Sequence, residues 1–174
     1  MRPAAGPVLE TERLRLRQLG ESDAPFILEL VNDEAWLRYI GDRGVRNHAD
    51  ARNYILKGPA ASYAKFGFGL WLVELRTDAT PIGICGLLRR ETLPDVDIGF
   101  AFMPAFRGQG YALEAGRATL AYGRTNLGLQ RIVAITLPAN AASIRTLVKL
   151  GLRFEKMIRL TADAEELQLF ASEL

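Results

Sequence analysis

Leu14 and Leu16 alternate with Arg13, Arg15 and Arg17, a two-residue period that predicts a half-buried first strand. Downstream the period lengthens. Phe26, Ile27, Leu30 and Val31 recur at helical spacing behind Asp23, which is placed to cap them. The segment NDEAWLRYIGDRGVRN mixes Trp36, Tyr39 and Ile40 with arginines and is broken by glycines, so it reads as a loop that either packs aromatics on the core or forms a lid. A second helix starts near Asn47 with Ala51, Tyr54 and Ile55 on one side, and Gly58 and Pro59 are expected to stop it before KFGFG. From Gly69 two β-rich runs, GLWLVEL and PIGICGLL, flank a turn at Thr77 to Pro81 and predict a hairpin. A further turn at Thr92 to Pro94 adds a third antiparallel strand.

The next segment, Tyr111 to Asn126, returns to helical spacing. Ala112, Ala115, Gly116, Thr119 and Gly123 form a small-residue face able to approach a sheet closely, and Gly128 ends the helix. RIVAITLP reads as a short buried strand closed by Pro138, and Ile144, Leu147 and Val148 form a helical stripe stopped by Gly151. Two weaker strands are expected at Glu155 to Leu160 and Leu167 to Ser172, with acidic residues between them. The pattern predicts an α/β (α+β) chain, one domain over residues 1–174, with helices flanking a mixed, mostly antiparallel sheet. The strands on either side of the long helix would be parallel neighbours joined by a right-handed crossover.

Composition narrows the function. Of 174 residues, 49% are hydrophobic, enough for a sizeable core, and the net charge of +2 gives no global field that would call for nucleic acid. One cysteine, Cys85, and one histidine, His48, leave zinc sites of the multi-Cys/His kind without ligands, so no metal is expected. Cys85 lies in the apolar run IGICGLL and reads as a buried, inert thiol, while His48 reads as solvated. No stretch reaches transmembrane length and MRPAAGPVLE lacks a secretory apolar run, so a soluble, cytoplasmic protein without membrane partners is expected.

The candidate chemistry lies in DVDIGFAFMPAFRGQGYALEA, residues 95–115. Here a strand pattern passes through a basic, glycine-punctuated turn into a helix, a local design for holding an anion on unpaired N–H groups. RGQGYA is not GxxxxGK[ST], since no Lys-Ser/Thr follows, and it is not GxGxxG, since Leu113 stands at the third glycine position. Arg-x-x-Gly-x-Ala between an apolar strand and a helix resembles the pyrophosphate loop of the GNAT N-acetyltransferases. LETERLRLRQL, VNDEAWLRYIGDR, the block at 97–115 and PANAASIRTLVKLGLRFE resemble, in order, the subgroup containing ribosomal-protein N-terminal acetyltransferases.

That resemblance implies a GNAT-type fold whose fourth and fifth strands, about Asp95 to Met103 and Arg131 to Leu137, splay apart around the pantetheine arm of acetyl-CoA. Backbone groups of Ala101, Phe102 and Met103 would pair with the arm. N–H groups of Arg107, Gly108, Gln109, Gly110, Tyr111 and Ala112 would hold the pyrophosphate, with Arg107 in contact or bracing the loop. Asn140 and Ser143 match the family's Asn-x-x-Ser element, as cofactor contacts, helix cap or both; Lys149 is a cofactor-side cation or a solvated helix end.

The implied reaction is direct attack of a primary amine on the thioester. An α-amino group, with a free pKa of about 7.7–8.0, needs less help losing its proton than a lysine amine near ~10.4. Asp97 stands where the related enzymes commonly carry a glutamate and is the candidate base; being one methylene shorter, it favours a water relay. Ser143 stands where a serine is proposed as acid in some of the related enzymes and is the candidate acid, while Phe100 replaces a common tyrosine and supplies no hydroxyl. Glu114, early in its helix, reads as structural. A peptide or protein N-terminus is the expected acceptor. A small amine (polyamine, amino acid or aminoglycoside-like), or a non-catalytic acyl-CoA-binding module, remains open, as does monomer against homodimer. The acceptor pocket is expected between residues 36–46 and the final strands.

Overall fold

The Arg-Leu alternation does fold as a strand, and a two-residue strand precedes it. In the computed structural model, which describes residues 6–173, β1 (Leu9–Glu10) pairs with β2 (Leu14–Gln18), whose Leu14 and Leu16 are fully buried. Four helices follow: α1 (Ala24–Val31), α2 (Glu34–Tyr39), α3 (His48–Ile55) and α4 (Ala61–Phe66). Asp23 sits at the cap position of α1, but its side chain does not cap the helix. It accepts from Gly20 N–H at 2.8 Å and pairs with Arg17 at 2.9 Å, because the buried Glu74 already draws the Arg17 guanidinium to this side of β2.

Gly58 and Pro59 do not stop the second predicted helix. A π-helical turn, Leu56–Ala60, joins α3 to α4 with Pro59 buried inside it; the widened bonding pattern accommodates a residue that has no N–H to donate. Gly67, at φ 81°, then ends α4 in the left-handed conformation.

The predicted three-strand meander is present as β3 (Leu70–Leu75), β4 (Pro81–Leu88) and β5 (Asp97–Phe102), paired antiparallel in sequence. Helix α5 (Tyr111–Thr125) lays Ala115, Thr119 and Gly123 against the sheet, while Gly116 faces Leu150 at the end of the helix that follows. A methyl group added at Gly123 would come within 2.7 Å of the Ile132 side chain. β6 (Arg131–Thr136), α6 (Ala141–Lys149), β7 (Arg153–Ile158) and β8 (Leu167–Glu173) complete the chain.

The eight strands run in the order β1-β2-β3-β4-β5-β6-β8-β7, so β8 inserts between β6 and β7 and leaves β7 at the edge. Strand alternation divides the core between two faces. Trp71, Cys85, Leu87, Ile98 and Phe102 pack with α5 and α6, while Leu72, Ile84, Ala101 and Met103 pack with Ile27, Trp36, Ala51 and Ile55 of the α1–α3 layer. Cys85 is fully buried beside Thr119, and burial pushes its thiol up to about 12, while His48 is exposed. Among the described residues no helix is long and apolar enough to cross a membrane.

Candidate active site

β5 and β6 are parallel neighbours for a single register pair, Asp97 with Val133, supported by a bond from Val133 N–H to Val96 C=O at 3.0 Å. Beyond it, toward the carboxyl ends, the strands separate. These correspond to the sequence-predicted splayed pair, which the two-residue leading strand β1 renumbers as fifth and sixth.

Antiparallel pairing turns alternate residues toward alternate neighbours. Met103 donates its N–H to Ile82 C=O at 2.9 Å, and its own carbonyl accepts from Phe106 N–H at 3.0 Å. Ala101 faces β4 in the same register. The expected backbone trio is therefore corrected: Ala101 and Met103 turn away from the gap, and Phe100 and Phe102, with Ile135 across from them, turn into it. The Phe102 carbonyl is partly used, accepting from Arg107 Nε at 2.9 Å.

The turn after β5 is built to keep donors open. Pro104–Phe106 makes one tight turn, and Gly108 and Gly110 adopt φ of 73° and 83°, a region in which a side chain would be strained. Gly110 C=O accepts the first bond of α5 from Glu114 N–H at 3.0 Å, so the N–H groups of Tyr111, Ala112 and Leu113 have no partner within the helix. Those of Gly108, Gln109 and Gly110 meet no acceptor among the described residues. Six consecutive N–H groups, Gly108 to Leu113, thus lie open at the positive end of a fifteen-residue helix, whereas the Arg107 N–H expected among them donates to Pro104 C=O at 3.3 Å.

Three side chains hold that turn. Gln109 Nε2 donates to Ala105 C=O at 2.9 Å. Arg107, besides its bond to Phe102, donates through Nη2 to Asp33 Oδ2 at 2.6 Å, and the same Asp33 oxygen caps α2 by accepting from Ala35 and Trp36 N–H. Arg13 donates to Gln109 C=O at 3.0 Å and to Glu114 Oε2 at 2.6 Å, with its guanidinium carbon 4.3 Å from the centre of the Tyr111 ring. Glu114 also accepts from Thr11 Oγ1 and Arg13 N–H. Burial raises this carboxyl, but those hydrogen bonds and the Arg13 charge outweigh it and hold the group below its ordinary range. Glu114 is thus a brace between β2 and α5.

Asp97 stands at the last rung before the gap opens. Its side chain is 1% exposed and points, like Ala101 and Met103, to the α1–α3 face. Arg90 Nε lies 3.0 and 3.2 Å from its two oxygens. Burial pushes the carboxyl up to about 6 against the opposing Arg90 charge. Asn140 caps α6, its Oδ1 accepting from Ser143 N–H at 3.2 Å. The Ser143 hydroxyl has no hydrogen-bond partner among the described residues, and none joins it to Asp97. Lys149 is exposed in the last turn of α6.

Arg13, Asp33 and Arg90 were not singled out by sequence. Arg13 showed only as an outward strand position, Asp33 only as part of a glycine-interrupted segment, and Arg90 as one of two consecutive arginines. Two cavities border the segments expected to form the acceptor pocket, residues 36–46 and the final strands. One, of about 370 Å³, lies between residues 43–45 and α3; the other, of about 180 Å³, lies between residues 92–95 and β6, β7 and β8.

A parallel pair that parts beside an open-donor helix start defines an anion-binding α/β scaffold, and comparison with known proteins gives its class. The family described as Acetyltransferase (GNAT) domain matches residues 13–153. The uncharacterized N-acetyltransferase YoaA of Bacillus subtilis (strain 168) is 32% identical over 154 residues, 88% of this chain and 86% of that protein. Among solved structures, a GNAT-family acetyltransferase from Bacillus anthracis superposes with a TM-score of 0.78 at 27% identity, over 95% of this chain and 97% of that one. RimL, a ribosomal L7/L12 alpha-N-protein acetyltransferase in complex with coenzyme A, shares the fold with a TM-score of 0.81 at 19% identity, over 97% and 98%. The chain belongs to the GNAT acetyltransferase family and is an N-acetyltransferase.

Proposed function

We propose that this N-acetyltransferase takes acetyl-CoA as donor and the α-amino group of a peptide or protein as acceptor. The observation that carries the donor half is the run of six open N–H groups at the start of α5, beside the gap between β5 and β6. Such a run suits a pyrophosphate, and the gap-facing backbones of Phe100, Phe102 and Ile135 suit the amides of a pantetheine arm. Arg107 and Arg13 keep the loop's shape, their charges balanced by Asp33 and Glu114. Bound there, acetyl-CoA supplies an acetyl thioester to an attacking amine.

Asp97 is the proposed base. With its carboxyl near 6 it is mostly ionised at neutral pH and can take a proton from an α-ammonium group, directly or through water. Arg90 holds the carboxylate without being a base itself. Ser143, with a free hydroxyl, is the proposed donor of a proton to the departing thiolate. The acceptor half rests on the larger cavity, which opens broadly to solvent and carries Arg43 and Lys57 against one acid, Asp50. An open, cation-bearing site suits a peptide and repels a polyamine.

The test is release of CoA thiol from acetyl-CoA across a panel of short peptides, amino acids, polyamines and aminoglycosides. Turnover concentrated on peptides is the expected result. Turnover confined to a small amine would replace the acceptor assignment, and CoA binding without turnover on any acceptor would leave a binding module.

A further inference from the structure

The larger cavity has a charge imbalance that its neighbours do not cancel. Its lining includes Arg43, Asp50, Asn53, Tyr54 and Lys57. Asp50 accepts from Arg46 N–H at 2.9 Å, while the Arg46 guanidinium is committed to Asp42 at 2.5 Å. Arg43 and Lys57 are exposed and, among the described residues, neither has an ion-pair partner. Two available cations therefore face one acid that is already engaged.

The cavity also lies on the catalytic side of the sheet. Tyr54 lines it and packs against the α1–α3 core cluster, the face to which strand alternation directs Asp97. Burial pushes the Tyr54 phenol above its usual value, and the fields of Arg43 and Arg90 oppose that rise, so the cavity's Arg43 and the arginine that grips Asp97 both act on Tyr54.

We infer that the acceptor is an acidic peptide, with carboxylates close behind its free amine taken by Arg43 and Lys57. The inference rests on the reading of the chain as a peptide N-acetyltransferase and names the sequence class of its substrate. Because both cations are exposed, they act on capture of the peptide and on selection against basic partners more than on the chemical step.

The experiment uses the full chain, acetyl-CoA and three pentapeptides with free N-termini that carry two Asp, two Ala or two Lys at their second and third positions. CoA release gives kcat/KM, and C-terminally fluorescein-labelled versions give binding to the CoA-loaded protein by anisotropy. The acidic peptide is expected to exceed the alanine peptide by about 10-fold, the sum of two exposed charge pairs, and to lose that margin at high salt. Arg43→Ala combined with Lys57→Ala should bring it down to the alanine level through KM, and Arg43→Glu combined with Lys57→Glu should reverse the order toward the lysine peptide. Turnover of all three peptides alike overturns the inference and leaves the peptide transferase standing. A preference untouched by the substitutions overturns it too. Preferential binding of the acidic peptide that the double variant abolishes, without turnover, supports the recognition and sinks the transfer reading. Free aspartate accepted ahead of every peptide overturns the peptide as occupant.

Discussion

Arg90 offers a single nitrogen, Nε, to both oxygens of Asp97, at 3.0 and 3.2 Å, and is 31% exposed where its partner is 1% exposed. The ion pair thus joins a buried carboxylate to a cation at the surface, and the two can be perturbed separately.

Replacing Arg90 with Gln removes the charge that opposes burial, so Asp97 should hold its proton to higher pH. The acid limb of kcat, expected near 6 in the native protein, should move upward. Asp97→Asn should lower kcat by about 10²-fold with little change in acetyl-CoA affinity. Normal turnover of Asp97→Asn across the pH range would remove the residue from the mechanism.

The same group makes a stability prediction of fixed sign. Its folded value, about 6, lies above the ordinary 3.8, so the folded chain binds the proton more tightly and the associated stabilisation is present below 3.8 and lost as pH rises through about 6. The swing is on the order of 3 kcal/mol. Denaturant titrations at pH 4 and pH 7 should show this component in the native chain and lack it in Asp97→Asn.

Gly110→Val should strike the donor turn through φ 83°, a conformation that a β-branched side chain strains. CoA affinity by calorimetry should fall at least ~10-fold, since a loss of about 1.4 kcal/mol suffices. Unchanged affinity would count against the turn as the pyrophosphate site.

Arg107→Ala should cut the tie between the donor turn and the cap of α2. Hydrogen exchange at the Ala35 and Trp36 amides should quicken along with a loss of CoA affinity. Arg107→Lys should restore little, because one ammonium does not reproduce the forked contacts to Phe102 and Asp33. Unaltered exchange would mean that Asp33 caps α2 unaided.

Asn140 and Ser143 should separate in their effects. Asn140→Ala removes the α6 cap and should cost about 1 kcal/mol of stability. Ser143→Ala keeps the backbone donor, so it should leave unfolding unchanged and slow thioester cleavage. A change confined to acetyl-CoA affinity would make Ser143 a binding residue.

Sequence revealed most of what is local. The Leu14/Leu16 alternation, the β3–β4 hairpin, the small face of α5 and the two glycines of the donor turn each declare themselves within a few residues, because period and backbone freedom are local properties. The braces of the site were hidden for the converse reason. Arg107 reaches Asp33 across 74 positions, and Arg13 reaches Gln109 across 96, pairings that only the assembled sheet creates. Strand order was also hidden at the end of the chain. β7 is exposed along most of its length and carries no alternation to show that β8 would come between it and β6. Pro59 misled in the opposite direction, since a rule for α-helices says nothing about a π turn.

The single register pair between β5 and β6 has a thermodynamic consequence. A sheet fastened there by so few bonds has a seam, and a molecule whose amides span the gap would add rungs that the polypeptide leaves out. Ligand binding and cohesion of the two half-sheets are then one equilibrium. Saturation at ~100 times Kd should add about 2.7 kcal/mol to unfolding and slow amide exchange first in β6, the strand on the far side of the seam.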